Sequence, residues 1–175
     1  MAPEWKALFI DVDGVMTDGK FYYSATGKAM KAFGPDDHDG LNLLRPYLDI
    51  QFVTGDQRGF EISKSRIVDD MNFPLHLVST IKRMEWIREC ASPTSVIYMG
   101  DGIFDHYVFR EVGYSIAPAN ADPFLKSCAH FVTQRSGGDR AVAEAALHLL
   151  DKFFEPYNRA EALRTPVAVS GNWKT

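Results

Sequence analysis

Residues 8–19 read LFIDVDGVMTDG. The apolar run through Ile10 has the composition of a buried strand. It breaks into Asp11-Val-Asp13-Gly14, and a third carboxylate follows at Asp18. Carboxylates at the end of a buried strand are costly unless something charged or hydrogen-bonding meets them. A calcium loop is the first alternative. An EF-hand beginning at Asp11 would need glycine at its sixth position and glutamate at its twelfth. Those positions hold Met16 and Tyr22, so the EF-hand is excluded. A plain turn is the second alternative, and it leaves two further acidic strand ends unexplained.

Those ends appear further along the chain. DIQFVTGD (49–56) and SVIYMGDG (95–102) are also apolar runs that stop at Gly-Asp or Thr-Gly-Asp. Between the runs lie helix-like segments: GLNLLRPYL (40–48), FEISKSRIVDDM (60–71), TIKRMEWIRECA (80–91), IFDHYVFREV (103–112), DPFLKSCA (122–129) and DRAVAEAALHLLDKFF (139–154). LHLVS, GYSIAPA and HFVTQ add short strands. GKFYYSATGKAMKAF (19–33) reads as a β-hairpin turning at SATG. Strands alternating with helices predict an α/β fold, a parallel sheet with helices on both faces. In such sheets ligands bind beyond the carboxyl ends of the strands. Asp11 and Asp13, Thr54-Gly55-Asp56, and Gly100-Asp101 are therefore expected to meet at one sheet edge.

The rest of the composition removes other classes. The 175 residues carry 19 Lys and Arg against 23 Asp and Glu, a net charge of −4. No basic stripe suggests nucleic acid as a partner, and no apolar run approaches the length of a membrane span. MAPEWK lacks the basic and apolar regions of a signal peptide. Cys90 and Cys128 have no metal-like spacing and read as buried thiols of a cytoplasmic protein. The expected domain is 1–157, with the hairpin at about 20–33 and a tail, 158–175, without clear period.

Crowded carboxylates repel unless a cation sits among them. Magnesium suits such an oxygen site, completed by water and substrate phosphate. Asp11, Asp13 and Asp101 are the candidate ligands. A carboxylate can also attack phosphorus and form an aspartyl-phosphate. A second carboxylate two residues on can protonate the leaving oxygen and later activate water. Thr54 can donate a hydroxyl to the phosphoryl group, and Lys82 can supply a cation.

DVDGVMTDG, VTGD, Lys82 and GDGIFD resemble the four signatures of the haloacid dehalogenase-like phosphatases, in order, over about residues 5–150. The resemblance implies Asp11 as nucleophile, Asp13 as general acid/base, Thr54 and Lys82 as phosphate binders, and Asp101 as magnesium ligand. Asp105 completes the Gly-Asp-x-x-x-Asp pattern and supports the metal shell. Gly14 lets the backbone pass close to the phosphate, and Thr17, Gly55, His38 and Arg58 are candidate substrate contacts. TDGKFYYSATGKAMKAF, then HDGLNLL, and SGGDRAVAEAALHLL are similar to the 3-deoxy-D-manno-octulosonate 8-phosphate (KDO 8-phosphate) phosphatases, small members without a cap domain. That implies a small phosphorylated 2-keto sugar acid as substrate. It also implies a homotetramer with central hairpins, a neighbour's residues covering each site.

The substrate-reading positions depart from that pattern. Asp56 stands where Thr-Gly-Arg has its arginine. His38-Asp39-Gly40 replaces Arg-Asp-Gly, Gly102 replaces the second aspartate of Gly-Asp-Asp, and Arg140-Ala-Val-Ala replaces Gly-Ala-Val-Arg. Arg58, Arg140 or His38 could restore the missing cations. Lys28 and Lys31 are expected to be solvated, or to reach a neighbour's substrate. Phe21, Tyr22 and Tyr23 are expected at an oligomer interface. His76, His106, His130 and His148 read as structural. The alternative functions are a phosphatase for another small phosphate, a non-catalytic assembly domain like that attached to CMP-sialic acid synthetases, and a phospho-accepting receiver domain.

Overall fold

The computed structural model describes residues 4–162. Six parallel strands form one sheet in the order β5-β4-β1-β6-β7-β8. They are β1 (Ala7–Asp11), β4 (Asp49–Thr54), β5 (Leu75–Leu77), β6 (Val96–Met99), β7 (Tyr114–Ala117) and β8 (Phe131–Val132). Every residue of β1 is buried, as a central strand covered on both faces requires. Its register pairs Leu8 with Ile50 and Ile10 with Phe52 on one side, and Phe9 with Tyr98 on the other. The three strands that end in acidic residues are thus neighbours.

Alternation along the strands sends side chains to two cores. Leu8, Ile10, Ile50, Phe52 and Met99 pack with α1 (Asp36–Leu44) and α6 (Ala141–Phe153). Ala7, Phe9, Val53 and Tyr98 pack with α3 (Arg83–Cys90), α4 (His106–Phe109) and α5 (Pro123–Cys128). α6 buries Ala141, Val142, Ala145, Ala146, Leu149 and Leu150, a continuous helical stripe. Gly40 permits the close approach of α1, since a Cβ there would lie 2.7 Å from Ala143 Cα.

α1 starts earlier than GLNLLRPYL suggests. Asp36, Asp37 and Asp39 fill its first turn, where the helix dipole favours anions, and it stops at Leu44, just short of the pre-proline Arg45. α4 is a single turn rather than the helix expected over 103–112. The remaining helix, α2 (Phe60–Lys64), runs on into a wider turn over Ser65–Asp70.

The hairpin is present, with β2 (Tyr22–Ser24) antiparallel to β3 (Gly27–Met30). No cap domain lies among the described residues. The expected tail falls outside them from residue 163 on, and Arg159–Ala162 forms one helical turn, α7. Among the described residues no helix is long and apolar enough to cross a membrane. Cys90 and Cys128 are exposed rather than buried.

Candidate active site

β1 ends at Asp11, and the chain then makes a tight turn over Val12–Met16. Gly14 sits at φ +89°, and a Cβ there would fall 2.0 Å from Asp101 Oδ2, so only glycine fits. Thr17 is buried, and its Oγ1 accepts from the N–H groups of Gly14 (3.1 Å) and Gly19 (3.2 Å). It braces the turn instead of facing a substrate. Asn120 holds the same turn from beyond β7: its Nδ2 donates to the Gly14 carbonyl at 2.9 Å, and its Oδ1 accepts from Gly137 N at 2.6 Å.

Beyond the strand ends lies a cavity of about 440 Å³. Asp11, Asp13, Gly55 and Asp56 line it with Arg83, Lys28, Phe21 and Phe104. Asp11, Asp101 and Asp105 bring carboxylate oxygens within 4.8 Å of one another. Burial raises Asp11 to about 7; the Arg83 charge opposes that rise and the neighbouring Asp105 and Asp13 add to it. Burial, then repulsion from Asp11, Asp105 and Asp13, raises Asp101 to about 8. These shifts are the cost of burying and crowding carboxylates, which Arg83 offsets only in part at Asp11. Around the cavity stand five carboxylates (Asp11, Asp13, Asp56, Asp101, Asp105) and three cations (Lys28, Lys31, Arg83). Fully ionised, they leave two negative charges in excess. One hard divalent cation, held by the all-oxygen cluster, would balance them.

Asp13 was expected in the metal set, but its side chain turns away from the cluster. Its Oδ2 accepts from Thr54 Oγ1 at 2.9 Å and its Oδ1 lies 2.7 Å from Lys31 Nζ.

The cationic position moves by one residue. Lys82 is exposed, whereas Arg83 is 1% exposed. Arg83 Nη1 donates to Tyr98 Oη (2.6 Å) and Asp105 Oδ1 (3.1 Å) and lies 3.3 Å from Asp11 Oδ2. Thr80–Lys82 is a 3₁₀ turn leading into α3. One residue there rotates the side-chain direction by about 120°, so only one of the two neighbours can face the cavity. Tyr98 Oη in turn donates to Asp105 Oδ1 at 2.8 Å, and Gly102 N donates to Asp105 Oδ2 at 2.9 Å. Asp105 is therefore a fully engaged anchor for Arg83.

His38 does not reach the site. It is buried edge-on to Phe73, and burial, followed by the Arg66 charge, lowers its pKa. Arg58 is exposed and outside the cavity lining. Arg140, at φ +70°, pairs with Asp36 on the far side of α1.

Lys28 and Lys31 are not solvated. They reach back into the site of their own chain, with side chains 5% and 0% exposed. Lys28 Nζ lies 2.5 Å from Asp56 Oδ2 and 3.4 Å from the centre of the Phe21 ring. Lys31 Nζ lies 2.9 Å from the same Asp56 oxygen. Burial alone would raise Asp56, but the hydrogen bonds from Lys28 and Lys31 outweigh it and hold the carboxyl below its usual range. The sequence signal was the lysine spacing on the hairpin, which states no target.

A family model described as haloacid dehalogenase-like hydrolase matches residues 85–145. The 3-deoxy-D-manno-octulosonate 8-phosphate phosphatase of Yersinia pestis is 32% identical over 150 residues, covering 79% of this chain and 76% of that protein. The enzyme of the same name from Escherichia coli K12 is 33% identical over 155 residues, with 83% and 79% covered. The cobalt-bound deoxy-D-mannose-octulosonate 8-phosphate phosphatase of Haemophilus influenzae superposes with a TM-score of 0.75 at 28% identity, over 85% of this chain and 89% of that one. The chain belongs to the haloacid dehalogenase-like family, as a capless phosphoric monoester hydrolase similar to the KDO 8-phosphate phosphatases.

Proposed function

We propose that this enzyme hydrolyses a small sugar phosphate through an aspartyl-phosphate, with magnesium, and that the substrate is a 2-keto-3-deoxy sugar acid phosphate of the KDO 8-phosphate kind. The observation that carries the reading is the meeting of Asp11, Asp101, Asp105 and Arg83 beside the Asp13–Thr54 pair in one cavity. The substrate class rests on the named activities of the relatives.

Asp11 attacks phosphorus, forming an O–P bond as the bond to the sugar oxygen breaks. Asp13 gives that oxygen its proton. Asp13 then takes a proton from the water that attacks the phosphoaspartate, and phosphate leaves. Arg83 meets the phosphoryl oxygens with positive charge, while the one hydroxyl proton of Thr54 goes to Asp13 Oδ2. Asp11 and Asp101 would hold magnesium with Asp105 behind them, and the ion supplies positive charge against the phosphoryl oxygens. The same reading makes the enzyme a cytoplasmic homotetramer. The exposed Tyr22, Tyr23 and Met30 of the hairpin support the assembly, because bare apolar strands need cover.

A second reading, a phosphatase for a neutral sugar phosphate, is favoured by Asp56. It neutralises Lys28 within the cavity, where a sugar carboxylate would need a free cation. Phosphate release with and without magnesium tests both. The panel holds eight- and nine-carbon 2-keto acid phosphates and neutral sugar phosphates. Metal-dependent release selective for a keto acid is the expected result. Preference for neutral sugars selects the second reading, and no release from any member overturns both.

A further inference from the structure

Lys31 is a buried lysine with three partners and no open face. Its Nζ lies 2.7 Å from Asp13 Oδ1, 2.9 Å from Asp56 Oδ2 and 2.8 Å from Ser63 Oγ. The Ser63 contact is a hydrogen bond, and the two aspartate contacts are close ion pairs. Each contact comes from a different element: the turn after β1, the turn after β4, and α2. Lys31 itself follows β3 directly. Burying a charge this completely is unfavourable unless the geometry and hydrogen bonds are complete. Lys31 is absent from the cavity lining, so it meets no substrate. What it meets is Asp13, whose other oxygen is already held by Thr54.

We propose that Lys31 is a positioning residue for Asp13. Two-point fixation, by Lys31 on Oδ1 and by Thr54 on Oδ2, sets the carboxyl plane at the angle needed to pass a proton to the leaving oxygen. Without Lys31 the carboxyl can rotate about its Cβ–Cγ bond and the acid loses its aim, while attack by Asp11 is untouched. Ser63 and Asp56 hold Lys31 in place. The proposal rests on Asp13 acting as the general acid in the proposed function. General acid catalysis is worth roughly 10²–10⁴-fold, and misaiming the acid forfeits part of that.

Leaving-group dependence tests it. A sugar alkoxide needs a proton to depart, and p-nitrophenolate does not. The quantity kcat/KM, which reports only the steps up to departure of the leaving group, is measured for wild type, Lys31→Met, Lys31→Arg and Ser63→Ala. The substrates are p-nitrophenyl phosphate and whichever sugar phosphate of the panel wild type cleaves fastest. The expected result for Lys31→Met is a loss of roughly 10–100-fold on the sugar phosphate, against at most about threefold on p-nitrophenyl phosphate. Ser63→Ala, which removes one anchor outside the cavity, shifts the same ratio in the same direction by a smaller factor. If Lys31→Met does not fold, Lys31→Arg and Ser63→Ala decide. Equal losses on both substrates, or an unmoved ratio in every folded variant, overturn the proposal and leave Lys31 as a hairpin anchor. If wild type releases phosphate from neither substrate, the proposed function itself fails, and the positioning role with it.

Discussion

Arg83 and Lys82 are adjacent in sequence and opposite in circumstance. Arg83 is buried against Asp11, Asp105 and Tyr98, and Lys82 is in solvent. Lys82→Ala is therefore expected to leave turnover within about twofold of wild type. Arg83→Ala should cost roughly 10²–10³-fold in kcat, as for other lost charge-stabilising donors. It should also cost about 3–5 kcal/mol of stability, because two buried carboxylates lose their cation. Steady-state kinetics and urea unfolding check both, and a severe Lys82→Ala defect would sink the assignment. Asp11 at about 7 and Asp101 at about 8 make metal uptake compete with protons. Both carboxyls must be ionised to bind a divalent cation. Magnesium affinity should thus rise from pH 6 to pH 8, by up to about tenfold per unit for each proton displaced. Calorimetric titration in two buffers of different ionisation enthalpy reads the released protons; affinity flat across that range refutes it. Of this site, Asp11, Asp13, Thr54 and Asp101 were legible because each sits just where an apolar strand run ends. Arg83 was not, because a single residue of phase on a 3₁₀ turn decides between neighbours of like charge. The burial of Lys28 and Lys31 was not either, since hairpin spacing says nothing of the surface onto which the hairpin folds.

Between elements, α1 meets α6 through a buried acid. Asp37 is fully buried, and its Oδ1 accepts from Ala143 N in the first turn of α6 at 2.9 Å. Burial outweighs the backbone hydrogen bonds from Ala143 and Val142 and raises its pKa to about 6. A carboxyl above its unfolded value of 3.8 takes up a proton on folding between those two values. Stability from this group is thus greatest below about pH 4, falls as pH rises to about 6, and is level above. The window of about two units corresponds to about 3 kcal/mol. Asp37→Asn should remove that slope. Wild type minus variant, by urea unfolding at pH 4.5 and 6.5, isolates it from other groups; parallel profiles would show the slope lies elsewhere. The helices themselves were readable from apolar spacing, α6 above all. Their ends were less so: α1 begins five residues before its first leucine because acidic residues suit a first turn, and Pro46 cuts off Tyr47 and Leu48. His38, a candidate substrate contact by sequence, lies away from the cavity for the same reason: the earlier start carries it into α1 and the core.

At the scale of the molecule, the hairpin is the part whose surface is unfinished. Tyr22, Tyr23 and Met30 are exposed on a two-stranded ribbon, and such ribbons are marginal alone. Sedimentation should find four chains in one particle. Tyr23→Glu with Met30→Glu should shift it to smaller species; a wild-type monomer would remove the tetramer from the reading. The parallel sheet and the absence of a cap among the described residues agree with the alternation and short spacings in the sequence. The tetramer is expected only through resemblance, because a lone chain's pattern cannot say what covers an exposed strand.

The inward reach of Lys31 to its own chain's Asp13 has a consequence for mixed populations. If Asp11 is missing from one subunit and Lys31 from another, co-assembly gives no partnership that restores a whole set, because both defects belong to separate, self-contained units. Blended assemblies of the two defective proteins should show no more activity on the sugar phosphate than their Lys31-deficient chains supply alone, at any ratio. Blends of wild type with either one should show activity falling in simple proportion to dilution.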